Sequence, residues 1–217
     1  MTFIARLLAA ALLLPQPYYL PGHEPETAAE RANRIEVIVS AAVDESQKVE
    51  GWPGSPEDLA AAILSVTWFE SRRWALEVHD GARRGDHGAS VCLAQIWTYD
   101  RSLAGTSPEA TRRCFRKAAQ ILAMHANRCG IRHMNEPNMA RLLGAYGTGR
   151  TCHTMPWARK RARLWARLMD AAASDSDDPG APSRHALPSG KLSGLDDDAW
   201  SWKRPARAKS VTTISTH

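Results

Sequence analysis

Helical spacing singles out one carboxylate in this chain. Ser55-Pro56-Glu57-Asp58 offers an N-cap hydroxyl, a Pro at the first helical position and early acidic charge, so a helix is predicted to start there. Leu59, Ile63 and Val66 then recur at steps of four and three, and the next step of four is Glu70. The carboxylate is therefore predicted to project towards the core with those apolar neighbours. An ionised carboxylate is costly to remove from water. Such a group favours its neutral form, and the raised pKa that follows is what a general acid near neutral pH requires. The plainer alternative is a Glu paired with a nearby cation, Arg72 or Arg73.

Two more segments carry groups that could serve such an acid. Asp80-Gly81-Ala82-Arg83-Arg84-Gly85-Asp86-His87-Gly88 is too polar and Gly-rich for helix or core and reads as a loop. It leads into Val91-Cys92-Leu93-Ala94-Gln95-Ile96-Trp97, an apolar run interrupted by one Gln. Further on, Leu142-Leu143-Gly144-Ala145-Tyr146-Gly147-Thr148-Gly149 ends a helix in a Gly-rich turn that carries a Tyr. No phosphate-cradling Gly loop follows a strand, no Gly-x-Ser-x-Gly elbow is present, and no internal repeat is found.

In this order and spacing, over roughly residues 55 to 170, the three segments resemble the lysozyme-like fold of the soluble lytic transglycosylases and goose-type lysozymes. That family carries a Glu-Ser pair at a helix end, a Gly-Leu-Met-Gln-Ile-like segment and an Ala-Tyr-Asn-Ala-Gly-like turn. Here these are Glu70-Ser71, Cys92 to Ile96, and Ala145 to Gly149. Cys92 replaces the usual Gly, Ala94 the usual Met, and Gly147 and Thr148 the usual Asn and Ala, so one Asn contact is lost.

The resemblance implies cleavage of the β-1,4 bond between N-acetylmuramic acid and N-acetylglucosamine in peptidoglycan, with no cofactor. Glu70 would protonate the departing oxygen and then accept the proton of the sugar's own 6-hydroxyl, closing a 1,6-anhydro ring. Ser71 and Gln95 would contact substrate, and Tyr146 would orient Glu70 through its hydroxyl. Alternatives stay open for two of these: Gln95 could satisfy loop backbone, and Tyr146 could be a core aromatic with a wet tip. A hydrolase, a muramidase, would need a second carboxylate, for which Glu77, Asp80 and Asp86 are the nearest candidates. Readings from other classes are a non-catalytic peptidoglycan-binding or assembly protein that keeps the fold, and a basic nucleic-acid-binding helical domain.

The elements that must position these groups are predicted to be mostly α-helical, with one short extended or β segment near the active site. Helices are expected from Glu24 to about Val49, from Pro56 to about Val78, after Ser107-Pro108-Glu109, after Asn135-Glu136-Pro137, and after Thr154 and Pro156. The third of these carries a stripe of Phe115, Ala118, Ala119, Leu122 and Ala126. In the last, Ala158, Ala162, Trp165 and Met169 are predicted to face inward, and Arg159, Lys160, Arg161, Arg163 and Arg167 to form a solvated basic outer face.

Residues 1–22 read as a signal peptide or an N-terminal helix that packs on the domain, 23–172 as the transglycosylase domain, and 173–217 as a disordered tail of Ser, Asp, Pro and Gly. The net charge of +5 belongs to the folded part, since the tail's acidic and basic residues balance. A basic surface suits an anionic partner without choosing one; the expected partner is the glycan strand, with neither nucleic acid nor stable membrane insertion. Four cysteines favour an oxidising, extracytoplasmic compartment. None lies in a Cys-x-x-Cys pair and the spacing supplies no zinc-type cluster, so no metal is assigned, while His125, His133 and His153, scattered among the cysteines, keep a metal site open as the minor alternative. Cys114 and Cys129 on one straight helix would stand about 22 Å apart, which disfavours their pairing and leaves Cys92 and Cys152 as their partners.

Overall fold

Most of the helices begin where a side chain satisfies an orphan amide of the first turn. In the computed structural model, which describes residues 2–17, 25–98 and 100–173, Thr27 caps α2 (Ala28–Ser46) and Ser55 caps α3 (Pro56–Glu70), each in a reciprocal capping box with the third residue of its helix. Ser107 caps α5 (Pro108–Arg128) and Asn135 caps α6 (Glu136–Thr148). A short α1 (Phe3–Leu12), a single-turn α4 (Leu76–His79) and a final α7 (Pro156–Ala173) complete the helices. The only sheet among the described residues is a two-residue antiparallel pair, β1 (Ser90–Val91) with β2 (Ile96–Trp97), in which Ser90 faces Trp97 and Val91 faces Ile96. The protein is thus mostly α-helical, with a short β segment where one was expected.

At the centre lies α3, packed against α2, α5 and α7. Every residue from Leu59 to Trp68 is buried, Ser65 and Thr67 included. The predicted stripe of Leu59, Ile63 and Val66 is therefore only part of a helix buried all round, as expected of one that is apolar on every face. Ser65 Oγ donates to the Arg161 carbonyl (2.6 Å) and Thr67 Oγ1 to the Ile63 carbonyl (2.8 Å), so neither hydroxyl is left without a partner in the core. Residues 115, 118, 119, 122 and 126 of α5 are fully buried, in agreement with the predicted stripe. Along α7, Ala158, Ala162 and Trp165 face inward as predicted, joined by Leu164 and Leu168, whereas Met169, also expected inward, is only half-buried.

Where α3 ends differs from expectation. The helix stops at Glu70, not near Val78, because Arg72, Arg73 and Trp74 turn left-handed (φ 55°, 68° and 56°) before α4 starts. Left-handed backbone costs a non-Gly residue about 1 kcal/mol or more. Burial and hydrogen bonding offset that cost: Trp74 is fully buried, its indole N–H donates to Thr67 Oγ1 (3.0 Å), and the Arg73 amide donates to the Trp68 carbonyl (2.6 Å).

Two disulfides, Cys92–Cys114 and Cys129–Cys152, tie the hairpin to α5 and the end of α5 to the segment before α7. Cys114 and Cys129 are not joined, in line with their separation along one helix. Helix α1 packs on α2 and α7, burying Leu7 and Ala11, and the Arg6 guanidinium donates to the Ala172 carbonyl (3.3 Å). No helix among the described residues is long and apolar enough to cross a membrane, and no group of three His, Cys, Asp or Glu among them could hold a metal ion. The chain divides into a unit ending at Pro182 and a second over Ser183–His217; the predicted disordered tail from 173 lies, beyond Ala173 itself, outside the described residues.

Candidate active site

Because α3 stops at Glu70, its last side chain stands at the rim of the helical core. The carboxylate is 14% exposed and carries one hydrogen bond, from Arg161 Nη1 on α7 to Oε1 at 2.5 Å. The sequence suggested either an unpartnered inward carboxyl or a pairing with Arg72 or Arg73, and neither is found. Arg161, placed by sequence on the solvated outer face of α7, instead turns inward and is 11% exposed. A carboxylate so paired is not the desolvated, partnerless group from which a general acid was inferred.

Ser71, the next residue, has no exposed surface. Its hydroxyl donates to the Thr67 carbonyl (2.5 Å) and accepts from the Trp74 amide (3.0 Å), so it secures the left-handed turn beneath Glu70. Both bonds are internal, and Ser71 presents nothing to a ligand.

The four-residue turn of the hairpin, Cys92 to Gln95, tucks inward: Leu93 and Ala94 are buried. Left-handed φ angles at its ends, 59° at Cys92 and 48° at Gln95, make the reversal. The Gln95 side chain bends back so that Nε2 donates to the Cys92 carbonyl (2.9 Å). Its Oε1 lies against Gly85, where a Cβ would collide with it. In this structure Gln95 therefore satisfies loop backbone, the second of its two predicted roles.

Tyr146 connects the hairpin with the end of α3. Its hydroxyl donates to the Ala94 carbonyl at 2.9 Å, so the predicted bond to Glu70 is not made. The phenol nonetheless lies within the field of the ion pair. Burial pushes its pKa up, the Glu70 charge adds to the rise, and Arg161 opposes it. Tyr146, near the end of α6, thus bonds to the hairpin turn and lies close enough to the end of α3 to feel the Glu70 charge.

Around the ion pair stand two aromatic rings that sequence reasoning did not assign to the site. The Arg161 guanidinium lies 4.6 Å from the ring centre of Trp157 and 5.8 Å from that of Phe69. A signal for Arg161 was present: it is three residues past Ala158 and four before Trp165, both predicted to face inward. The density of basic residues on α7 masked it. None of the carboxylates considered for a hydrolase pairs with Glu70 or Arg161. Glu77 is buried with Arg83 Nη1 at 3.9 Å, Asp80 caps the Ala82 amide (2.8 Å), and Asp86 accepts from the Ser90 hydroxyl.

Comparison with protein-family models, with curated proteins and with solved structures gives no match to this chain.

Proposed function

We propose that the protein is a peptidoglycan lytic transglycosylase with a lysozyme-like fold, acting on glycan strands outside the cytoplasm. The observation that carries this reading is the bond from the Tyr146 hydroxyl to the Ala94 carbonyl beside Gln95, made by a phenol that also lies in the field of the Glu70–Arg161 pair. The left-handed run at Arg72 to Trp74 adds to it, since backbone strain in ordered structure gathers at functional sites. Two disulfides suit an oxidising compartment, periplasmic, secreted or virion-associated.

Glu70 Oε2 accepts no hydrogen bond from a described residue, which leaves it to exchange the proton. Protonated there, the carboxyl gives its proton to the glycosidic oxygen as the bond from C1 of the muramic acid breaks. The resulting carboxylate takes the proton of the 6-hydroxyl, whose oxygen bonds to C1. No water enters and no second carboxylate is required, in keeping with the separate partners of Glu77, Asp80 and Asp86.

The Glu70–Arg161 ion pair itself favours a second reading, a wall-binding or assembly protein that keeps the fold without turnover. Zymography of the parent beside Glu70→Gln separates the two. The proposal expects clearing by the parent and loss of about 10²-fold or more in the variant, a typical general acid–base contribution. Product mass spectrometry should show 1,6-anhydro termini. Equal clearing by both proteins removes Glu70 as the catalyst, no clearing by either favours the binding protein, and a reducing muramic acid with the mass of water makes it a hydrolase.

A further inference from the structure

Gly147 occupies the turn position where the resemblance leads one to expect Asn. A Cβ there would come within 2.5 Å of Trp157 Cη2 and 2.9 Å of its Cζ3, closer than real Cβ atoms approach. The missing side chain is therefore what allows the indole to lie against the last turn of α6. From that seat Trp157 meets Arg161, one helical turn further along α7, at 4.6 Å. Phe69, adjacent to Glu70, supplies the second ring at 5.8 Å. The backbone beneath is fixed as well, since the Arg161 carbonyl accepts from Ser65 Oγ at 2.6 Å. A planar guanidinium held near two rings has few alternative positions, and its Nη1 is directed at Glu70 Oε1.

We propose that Arg161 is the positioning residue for Glu70, held in a seat made by Gly147, Trp157 and Phe69. The proposal rests on the transglycosylase reading. With Tyr146 committed to the Ala94 carbonyl, Arg161 is the one described side chain that hydrogen-bonds the Glu70 carboxylate. It fixes Oε1 and leaves Oε2 for the proton. It also keeps its own charge through both steps, opposite the carboxylate that exists between them. An error of about 1 Å in the placement of a reacting group costs on the order of 10²-fold in rate, so this contact should be read in kcat more than in KM.

The test uses the full chain and peptidoglycan, with Arg161→Gln, Arg161→Lys, Arg161→Ala and Gly147→Ala beside the parent and Glu70→Gln. Arg161→Gln is expected to lose about 10- to 100-fold in kcat with KM within about twofold. Lys should not restore it, because an ammonium lacks the planar fork. Added methylguanidinium should partly restore Arg161→Ala, a recovery that a merely structural role would not give. Gly147→Ala, which leaves both charges in place and presses on the Trp157 ring, should lower kcat in the same direction by less. That variant carries the test alone if the Arg161 variants do not fold. Parental kcat in a folded Arg161→Gln, a loss confined to KM, or, where Arg161 cannot be tested, parental kcat in Gly147→Ala would overturn the proposal. Absence of Glu70-dependent cleavage in the parent would remove the transglycosylase reading and this role with it. A Glu70-dependent parent beside a fully active Arg161→Gln removes this role alone.

Discussion

Among single residues, Ser71 shows how a motif position can be chemical by resemblance and architectural in place. Its hydroxyl joins the Thr67 carbonyl to the Trp74 amide with no exposed surface. Ser71→Ala should therefore lower unfolding stability by about 1–3 kcal/mol, the cost of leaving a buried partner unsatisfied. KM for peptidoglycan should stay at the parental value wherever the protein is folded. Denaturant melts with kinetics on the same sample check this, and a raised KM with unchanged stability would return Ser71 to the substrate. For Glu70, sequence phase correctly brought the carboxylate out of bulk solvent but could not supply its partner. The same phase argument applied to Arg161 would have turned it inward beside Ala158 and Trp165. A cation among Arg159, Lys160 and Arg163 reads as surface until a carboxylate on another helix gives it a reason to turn.

Among elements, three helix starts were legible because capping is local: Ser55, Ser107 and Asn135 each lie within three residues of the amide they satisfy, whereas α2 starts behind Thr27 at Ala28 and not at the expected Glu24. The end of α3 was not. Arg72-Arg73-Trp74 contains no Gly or Asn to announce left-handed backbone, and only the buried Trp74 and its bond to Thr67 hold the turn. The hairpin was ambiguous for another reason, since two-residue strands give too little alternation to distinguish strand from turn. A covalent bond adds to the Tyr146 hydrogen bond in holding that hairpin. Cys92 begins the turn that carries Gln95 and is joined to Cys114 on α5. Replacing both by Ser should lower stability by about 3 kcal/mol, the chain-entropy value for a loop of this length. It should also reduce activity at temperatures where far-UV circular dichroism still shows a folded protein. Loss of helix in parallel with activity would mean that the bridge supports the whole fold and not the turn alone.

At the scale of the whole molecule, a buried histidine ties stability to pH. His79 is 2% exposed, its Nε2 lies 2.9 Å from Thr111 Oγ1, and Nδ1 is buried without a hydrogen-bond partner. Burial, with help from the Arg34 charge, pushes its pKa down to about 3. The folded state thus keeps His79 neutral, whereas the unfolded chain protonates it near pH 6.5. The His79 contribution to stability is therefore full above that value and falls as pH drops from about 6.5 towards 3, with a limiting slope of about 1.4 kcal/mol per pH unit. His125, also pushed down by burial, acts in the same direction. Unfolding free energies measured between pH 7 and 5, before carboxylates protonate, should show at least this slope in the parent, His125 adding to it, and lose about one proton's worth in His79→Gln. An identical slope in both proteins would place the acid sensitivity elsewhere.

One consequence concerns the order in which the molecule can be built. The guanidinium of Arg6 meets the carbonyl of Ala172 across 166 residues, and α7 also packs on α3 and α6. During synthesis α1, α2 and α3 exist long before the helix that covers them has left the ribosome. The central helix, apolar on every face, must then wait with one flank open, a state prone to aggregation and to capture by chaperones. Ribosome-arrested chains in which residues up to about 150 have emerged should remain protease-sensitive throughout α3. Chains that expose residues through Ala173 should become resistant in a single step. Gradual resistance gained helix by helix would show that the earlier elements close on their own.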